Sequence, residues 1–234
     1  MEPSRITELL MPHTVGLALP PAIFDQLSAY LHLLLRWNAK TNLTAIRDPE
    51  QIVTRHFGES LFAAGVLFGS EGANLGVSRA ERSGVEGPAF SDNRQLTTDN
   101  SSTLADLGSG AGFPGLPIKL AFPSLQVTLI ESQNKKATFL KEVIRALKLE
   151  GLDVYSGRAE QWGKQADVVT LRAVERFDAV LPIATKLLAP GGRFCLLIGA
   201  AQKQILGKIG GFSVEVEKNI PNRQDSLLLV GKLH

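Results

Sequence analysis

Between Pro21 and Trp37, the apolar residues Ile23, Phe24, Leu27, Tyr30, Leu31, Leu34 and Leu35 recur at spacings of three and four. That period gathers them on one face and predicts an amphipathic helix of about four turns. A second helix is predicted after Asp48-Pro49, a cap followed by proline at the first helical position. It carries Ile52, Val53, Phe57 and Leu61 on one side and ends near Gly69. From Gly69 to Thr103 the periodicity stops and Gly, Ser, Asn, Asp and Thr dominate. Too few large apolar groups remain there to build a core, so this stretch reads as a flexible linker or long loop.

Beyond it, short apolar runs alternate with helical patterns. Strands are predicted at Leu104 to Leu107, Val127 to Ile130, Asp153 to Tyr155, Val168 to Leu171 and Arg193 to Ile198, then near Ser213 to Val216 and Leu227 to Val230. The clearest helix between them spans Asn134 to Leu149, with Asn134 as its cap and Phe139, Leu140, Val143, Ile144 and Leu147 as its buried stripe. Strand, helix, strand repeats demand right-handed crossovers and a mostly parallel sheet. The last two strands are joined through Asn219-Ile220-Pro221-Asn222, too short for a helix, and pair as an antiparallel hairpin at the sheet edge. The expected class is therefore α/β, a doubly wound and mostly parallel seven-stranded sheet. Its expected parts are a helical extension at 1–68, a linker at 69–103 and the main domain at 104–234.

Composition changes this picture little. Hydrophobic residues make up 44% of the 234 and charged residues 21%, ordinary for a globular protein. One cysteine, Cys195, excludes an internal disulfide, and the opening residues lack a signal-peptide core, so a cytoplasmic location is expected. No apolar run reaches the roughly 18 residues of a membrane span. With 25 basic and 23 acidic residues the net charge is only +2, which neither announces nor forbids a nucleic-acid partner.

The strongest chemical signal is Asp106-Leu107-Gly108-Ser109-Gly110-Ala111-Gly112-Phe113-Pro114-Gly115, where the first predicted strand meets a helix. Alternate glycines let a backbone turn tightly and approach a ligand that a Cβ would push away. A dinucleotide fingerprint needs glycine where Phe113 stands, so a pyrophosphate fits poorly. S-adenosylmethionine, which has no phosphate to seat, fits better; an NAD-like ligand and an unliganded turn are the alternatives. Asp106 suits the partly cationic amino acid end of such a cofactor. Glu131, ending the second strand, can accept from both ribose hydroxyls. Arg158-Ala159-Glu160, after the third strand, can flank an adenine. Arg172 ends the fourth strand, facing the crevice where open α/β sheets bind ligands, with a buried ion pair to Glu160 or Asp106 as the alternative. Lys141, Arg145 and Lys148 form either a phosphate-contacting stripe or a solvated face. Cys195 lies in a buried strand pattern and is expected to be inert. The four histidines lack metal-ligand spacing, and no metal is expected.

With these residues assembled, the chain resembles the RsmG (GidB) family, guanine-N7 methyltransferases of bacterial small-subunit 16S ribosomal RNA. The likeness runs through Trp37-Asn38, Asn42-Leu43-Thr44, Arg55-His56 and Glu59-Ser60-Leu61, then Asp106 to Pro117, Glu131-Ser132, Lys135-Lys136, Phe139-Leu140, Arg158-Ala159-Glu160 and Arg172-Ala173. The resemblance implies a class I, Rossmann-like, S-adenosylmethionine-dependent methyltransferase. It implies cofactor contacts at Gly108, Gly110, Phe113, Glu131, Ser132, Ala159, Glu160 and Arg172. RNA-contact candidates are Asn42, Arg55, His56 and Arg172, and the partner is 16S rRNA or the small ribosomal subunit, met by a monomer. Guanine N7 carries a free lone pair, so positioning suffices and no catalytic acid, base or nucleophile is expected. A small-molecule methyltransferase and a non-catalytic cofactor-binding module are the competing readings. The sequence departs from the family at Glu59, where aspartate is usual, at Ile198, where lysine is usual, and in the length of 69–103.

Overall fold

The computed structural model describes residues 1–69, 102–172, 177–206 and 211–233. The predicted linker therefore lies, from 70 to 101, outside the described residues, as does Ala173. Seven strands form one sheet in the order β3-β2-β1-β4-β5-β7-β6. They are β1 (Thr103–Leu107), β2 (Gln126–Glu131), β3 (Leu152–Ser156), β4 (Ala166–Arg172), β5 (Leu188–Gly199), β6 (Phe212–Asn219) and β7 (Ser226–Leu233). The first five run parallel, whereas β7 pairs antiparallel with both β5 and β6. All seven predicted strands are found, each extended by a few residues. The largest difference is at β5, which starts at Leu188. Its pairing with β4 skips a register between Ala166 and Val168, so the chain runs through Pro190-Gly191-Gly192 as a bulge before resuming at Arg193. A Cβ on Gly192 would stand 3.0 Å from the Asp167 carbonyl, a close approach that only glycine allows.

Helices cover both faces. On one lie α5 (Gly115–Ala121) and α6 (Asn134–Leu147), and on the other α7 (Phe177–Lys186) and α8 (Ala200–Leu206). The N-terminal helices α1 (Pro3–Leu10), α2 (Ile23–Asn38), α3 (Pro49–Gln51) and α4 (Glu59–Phe68) join the first face. Ile6, Leu27, Phe57 and Leu61 share one buried apolar cluster with Leu129 and Phe139. The opposite cluster centres on Phe177, Leu181, Phe194 and Leu196. Sequence periodicity missed α1, a short helix that buries only Ile6 and Leu10.

Two local expectations are corrected. Asn134 is the first residue of α6 rather than its cap; the cap position is Gln133, whose N–H donates to Glu131 Oε1 at 2.7 Å. The helix predicted from Asp48 is capped as expected, with the Asp48 carboxylate accepting from the Gln51 N–H at 2.8 Å, but it is not uniform. Between α3 and α4, residues Ile52–Gly58 wind as a π-helix, the wider turn that often accompanies functional sites. That segment carries Arg55 and His56.

The N-terminal helices also hold the glycine-rich loop from behind. The hydroxyl of Tyr30 in α2, fully buried, donates to the carbonyl of Ala111. Its ring packs on Phe113, with centroids 5.6 Å apart, and on Phe57 at 5.2 Å. Gly112, at φ +96°, lies so close that a Cβ would stand 2.6 Å from the Tyr30 oxygen. Tyr30→Phe leaves the buried Ala111 carbonyl without its donor, an expected loss of about 1–3 kcal/mol in denaturant unfolding. An unchanged unfolding midpoint would show that the hydroxyl does not brace the loop.

Candidate active site

At the carboxyl ends of β1, β2 and β3 the glycine-rich loop opens onto a cavity of about 310 Å³. Gly108 (φ +72°) and Gly110 (φ +58°) adopt backbone conformations that side chains resist, and a Cβ on Gly108 would meet nothing within 4 Å. The loop therefore leaves room for a ligand on this side. The three alternate glycines do not share one role: Gly112 faces inward, toward Tyr30 and Leu140.

Glu131 is only 5% exposed and lies in the cavity wall. Its Oε2 accepts the Gly110 N–H at 2.9 Å and its Oε1 accepts that of Gln133 at 2.7 Å. Each carboxylate oxygen can accept twice, so each keeps a position for a hydroxyl donor. Exposed Ser132, buried Ala159 and exposed Glu160, the last two on the short 3-10 turn Ala159–Gln161 after β3, line the same wall. Val180 and Ile183 of α7 complete it with an apolar surface. Sequence reasoning missed these two because their helical spacing matches ordinary core packing.

Asp106 does not face this cavity, contrary to expectation. It is 1% exposed, and its carboxylate accepts from Thr170 Oγ1 at 2.7 Å and the Gly115 N–H at 3.1 Å. Burial pushes its pKa up to about 6 despite those bonds. The residue ties the exit of the loop to β4 rather than meeting a ligand.

Arg172 lines a second cavity, of about 280 Å³, at the carboxyl ends of β4 and β5. It forms a buried ion pair, with Glu59 of α4 rather than with Glu160 or Asp106. Its Nε and terminal nitrogen donate to Glu59 Oε2 at 3.2 and 2.8 Å, and the same terminal nitrogen donates to the Arg55 carbonyl at 2.9 Å. Arg223, from the β6–β7 turn, brings its Nε to 3.6 Å from Glu59 Oε1. Phe113 packs beside both His56 and Arg172. That ring is 6% exposed, stacks on His56 at 4.7 Å and lies 5.8 Å from the Arg172 guanidinium. Neither Phe113 nor Arg172 is in the wall of the glycine-loop cavity.

The RNA-contact candidates separate. Arg55 and Arg172 line the second cavity. His56 lies behind Phe113, its Nε2 bonded to Thr44 Oγ1 at 2.7 Å, and Thr44 is held by Asn38 through two hydrogen bonds of 3.0 Å. Asn42 is exposed and accepts from Arg47 at 2.5 Å. Burial, then the charges of Arg172 and Arg55, lower the His56 pKa to about 3. Cys195 is buried, and burial raises its thiol pKa well above the ordinary value. Lys141 and Arg145 on α6 and Lys148 at its C-cap are exposed. Among the described residues no group of three or more His, Cys, Asp or Glu could hold a metal, and no helix is long and apolar enough to cross a membrane.

The strand order, the reversed β7 and the glycine turn after β1 define the Rossmann-like fold of class I methyltransferases. A solved structure described as the E81Q mutant of MtNAS shares that fold with a TM-score of 0.56 at 13% identity, covering 91% of this chain and 75% of its own. The family described as rRNA small subunit methyltransferase G matches residues 23–75 and 92–214, and the chain belongs to that family. Relatives named ribosomal RNA small subunit methyltransferase G include one from Exiguobacterium sp., 37% identical over 86% of this chain and 74% of that protein. Another, from Bacillus subtilis, is 33% identical over 82% and 70%.

His56 takes up a proton in the unfolded chain near pH 6.5 but resists it in the folded one down to about pH 3. Its contribution to stability is complete above about pH 6.5 and is lost progressively as the pH falls toward 3. His56→Gln should flatten that part of the stability profile; parallel profiles for the two proteins would contradict the buried neutral imidazole.

Proposed function

We propose that this protein transfers the methyl group of S-adenosylmethionine to N7 of a guanine in bacterial 16S rRNA, acting as a monomer in the cytoplasm. The observation that carries the reading is the presence of two cavities at the carboxyl ends of one sheet, one built on the glycine loop and one lined by arginines, in a chain of this family. Residues 1–68 serve as a brace on the methyl-transfer unit at 104–234.

S-adenosylmethionine supplies an electrophilic methyl on a sulfonium sulfur. The residues present fit it: Gly108 and Gly110 leave the space a Cβ would fill, Glu131 keeps two acceptor positions for ribose hydroxyls, and Ala159, Val180 and Ile183 offer an apolar slot. Ser132 and Glu160 stand at its edge. Held by Gly108, Gly110 and Glu131, the cofactor would supply its methyl to guanine N7, whose own lone pair would form the new N–C bond as the C–S bond to the departing S-adenosylhomocysteine breaks. No residue has to take a proton before attack, which agrees with the inert Cys195 and the internally bonded Asp106. The work of the chain is to orient two ligands and exclude water between them. Arg172, pinned by Glu59 and packed near Phe113, is a positioning residue in the wall of the second cavity.

Purified protein with methyl-labelled S-adenosylmethionine should place label as 7-methylguanosine in small-subunit RNA from cells lacking the protein. RNA that stays unlabelled while a small metabolite is methylated would refute the assignment. Gly110→Val forces a β-branched side chain onto φ +58°, and Glu131→Ala removes the acceptors. Calorimetry should find cofactor affinity reduced about tenfold or more in each; wild-type affinity in both would rule out this loop as the cofactor seat.

A further inference from the structure

The second cavity holds two polar groups whose hydrogen-bonding capacity the described residues leave unfilled. Glu59 gives its Oε2 to Arg172, but its Oε1 accepts no hydrogen bond among the described residues and only faces Arg223 Nε at 3.6 Å. One helical turn earlier, the Arg55 guanidinium makes no hydrogen bond or ion pair among the described residues. Its Nε is buried without an acceptor, so the terminal nitrogens are the donors left for a ligand in the cavity, while the Arg55 main-chain carbonyl is the group that Arg172 uses. Arg55 and Glu59 both line the cavity.

Resting on the function proposed above, we infer that this pair reads the identity of the target base, Arg55 donating to guanine O6 and Glu59 Oε1 accepting from guanine N1–H. A base lifted out of an RNA loop presents its Watson–Crick edge for such reading. Guanine sets an acceptor, O6, beside a donor, N1–H. Adenine reverses both, setting its amino group against the guanidinium and its unprotonated N1 against the carboxylate. Uracil shares the guanine pattern but has no N7 to alkylate. A wrong base leaves buried polar groups facing like groups, which is how a hydrogen-bonding site rejects a near-isostere. A bare phosphate fits the cavity less well, because the carboxylates of Glu59 and Asp225 stand in the wall among the arginines. Reading from this edge also leaves N7, on the opposite side of O6, free to react.

The test begins by mapping the guanosine that the wild-type protein methylates. RNAs are then made with guanosine, inosine or 2-aminopurine at that one position, and kcat/KM is measured with labelled S-adenosylmethionine. Inosine keeps O6 and N1–H, whereas 2-aminopurine has neither. Wild type should favour guanosine and inosine over 2-aminopurine by about tenfold or more. Arg55→Met and Glu59→Gln should each shrink that preference about tenfold, with cofactor affinity by calorimetry unchanged, while Glu59→Asp retains most of it. Comparing enzymes on the same RNAs cancels the intrinsic reactivity of each base. If Glu59→Gln does not fold, Arg55→Met decides, since it leaves the Arg172–Glu59 pair intact. Variants that lose activity equally on all three RNAs would make Arg55 and Glu59 contacts to the RNA backbone or fold and overturn the inference, as would an unchanged preference. Absence of 7-methylguanosine from the wild-type reaction would instead remove the underlying function.

Discussion

The buried ion pair between Arg172 and Glu59 is the contact on which the arrangement of the molecule turns. It joins the carboxyl end of a central strand to a helix of the N-terminal region, across more than a hundred residues of sequence. Desolvating two charges costs several kcal/mol, and geometry must recover it. Here two nitrogens of one guanidinium reach one carboxylate oxygen, and the Arg55 carbonyl takes a further donor bond. Losing one partner of such a pair typically costs about 3–5 kcal/mol, because the other charge is left buried alone. The pair therefore fixes where the N-terminal helices stand relative to the sheet.

Two carboxylates near the glycine loop divide its support between them. Glu131 takes the Gly110 N–H on the open side and keeps acceptor capacity for a ligand. Asp106 takes the Gly115 N–H and the Thr170 hydroxyl on the closed side and is sealed from solvent. Position in a cavity wall, rather than residue type, separates the two carboxylates. Tyr30, Phe57 and His56 then back the loop with a layer of rings around Phe113, so the N-terminal helices support the glycine-rich loop from behind.

Much of the site was legible in the chain because its residues follow strand ends, and strand ends are marked by abrupt changes in periodicity. Gly108, Gly110, Glu131, Ala159 and Glu160 were placed that way, Ser132 came from the family resemblance, and all but Gly110 line one cavity, Gly110 being bonded to its wall through Glu131. Asp106 was misassigned because sequence position cannot tell which way a carboxylate turns at a strand end. Val180 and Ile183 were missed because an apolar pair on a helix carries no mark of which cavity it faces. The partner of Arg172 was also out of reach, since Glu59 comes from a different structural layer.

By itself the sequence determined the seven strands, the parallel sense of the first five, the closing antiparallel hairpin and the glycine turn, because each depends on local period, turn length and backbone permission. Only the tertiary structure decided that Phe113 packs inward, that the helix before Glu59 widens into a π-turn, and that Arg55, Glu59 and Arg172 meet at one cavity. Those outcomes depend on long-range packing and on burying charge, which act between segments that no local pattern relates.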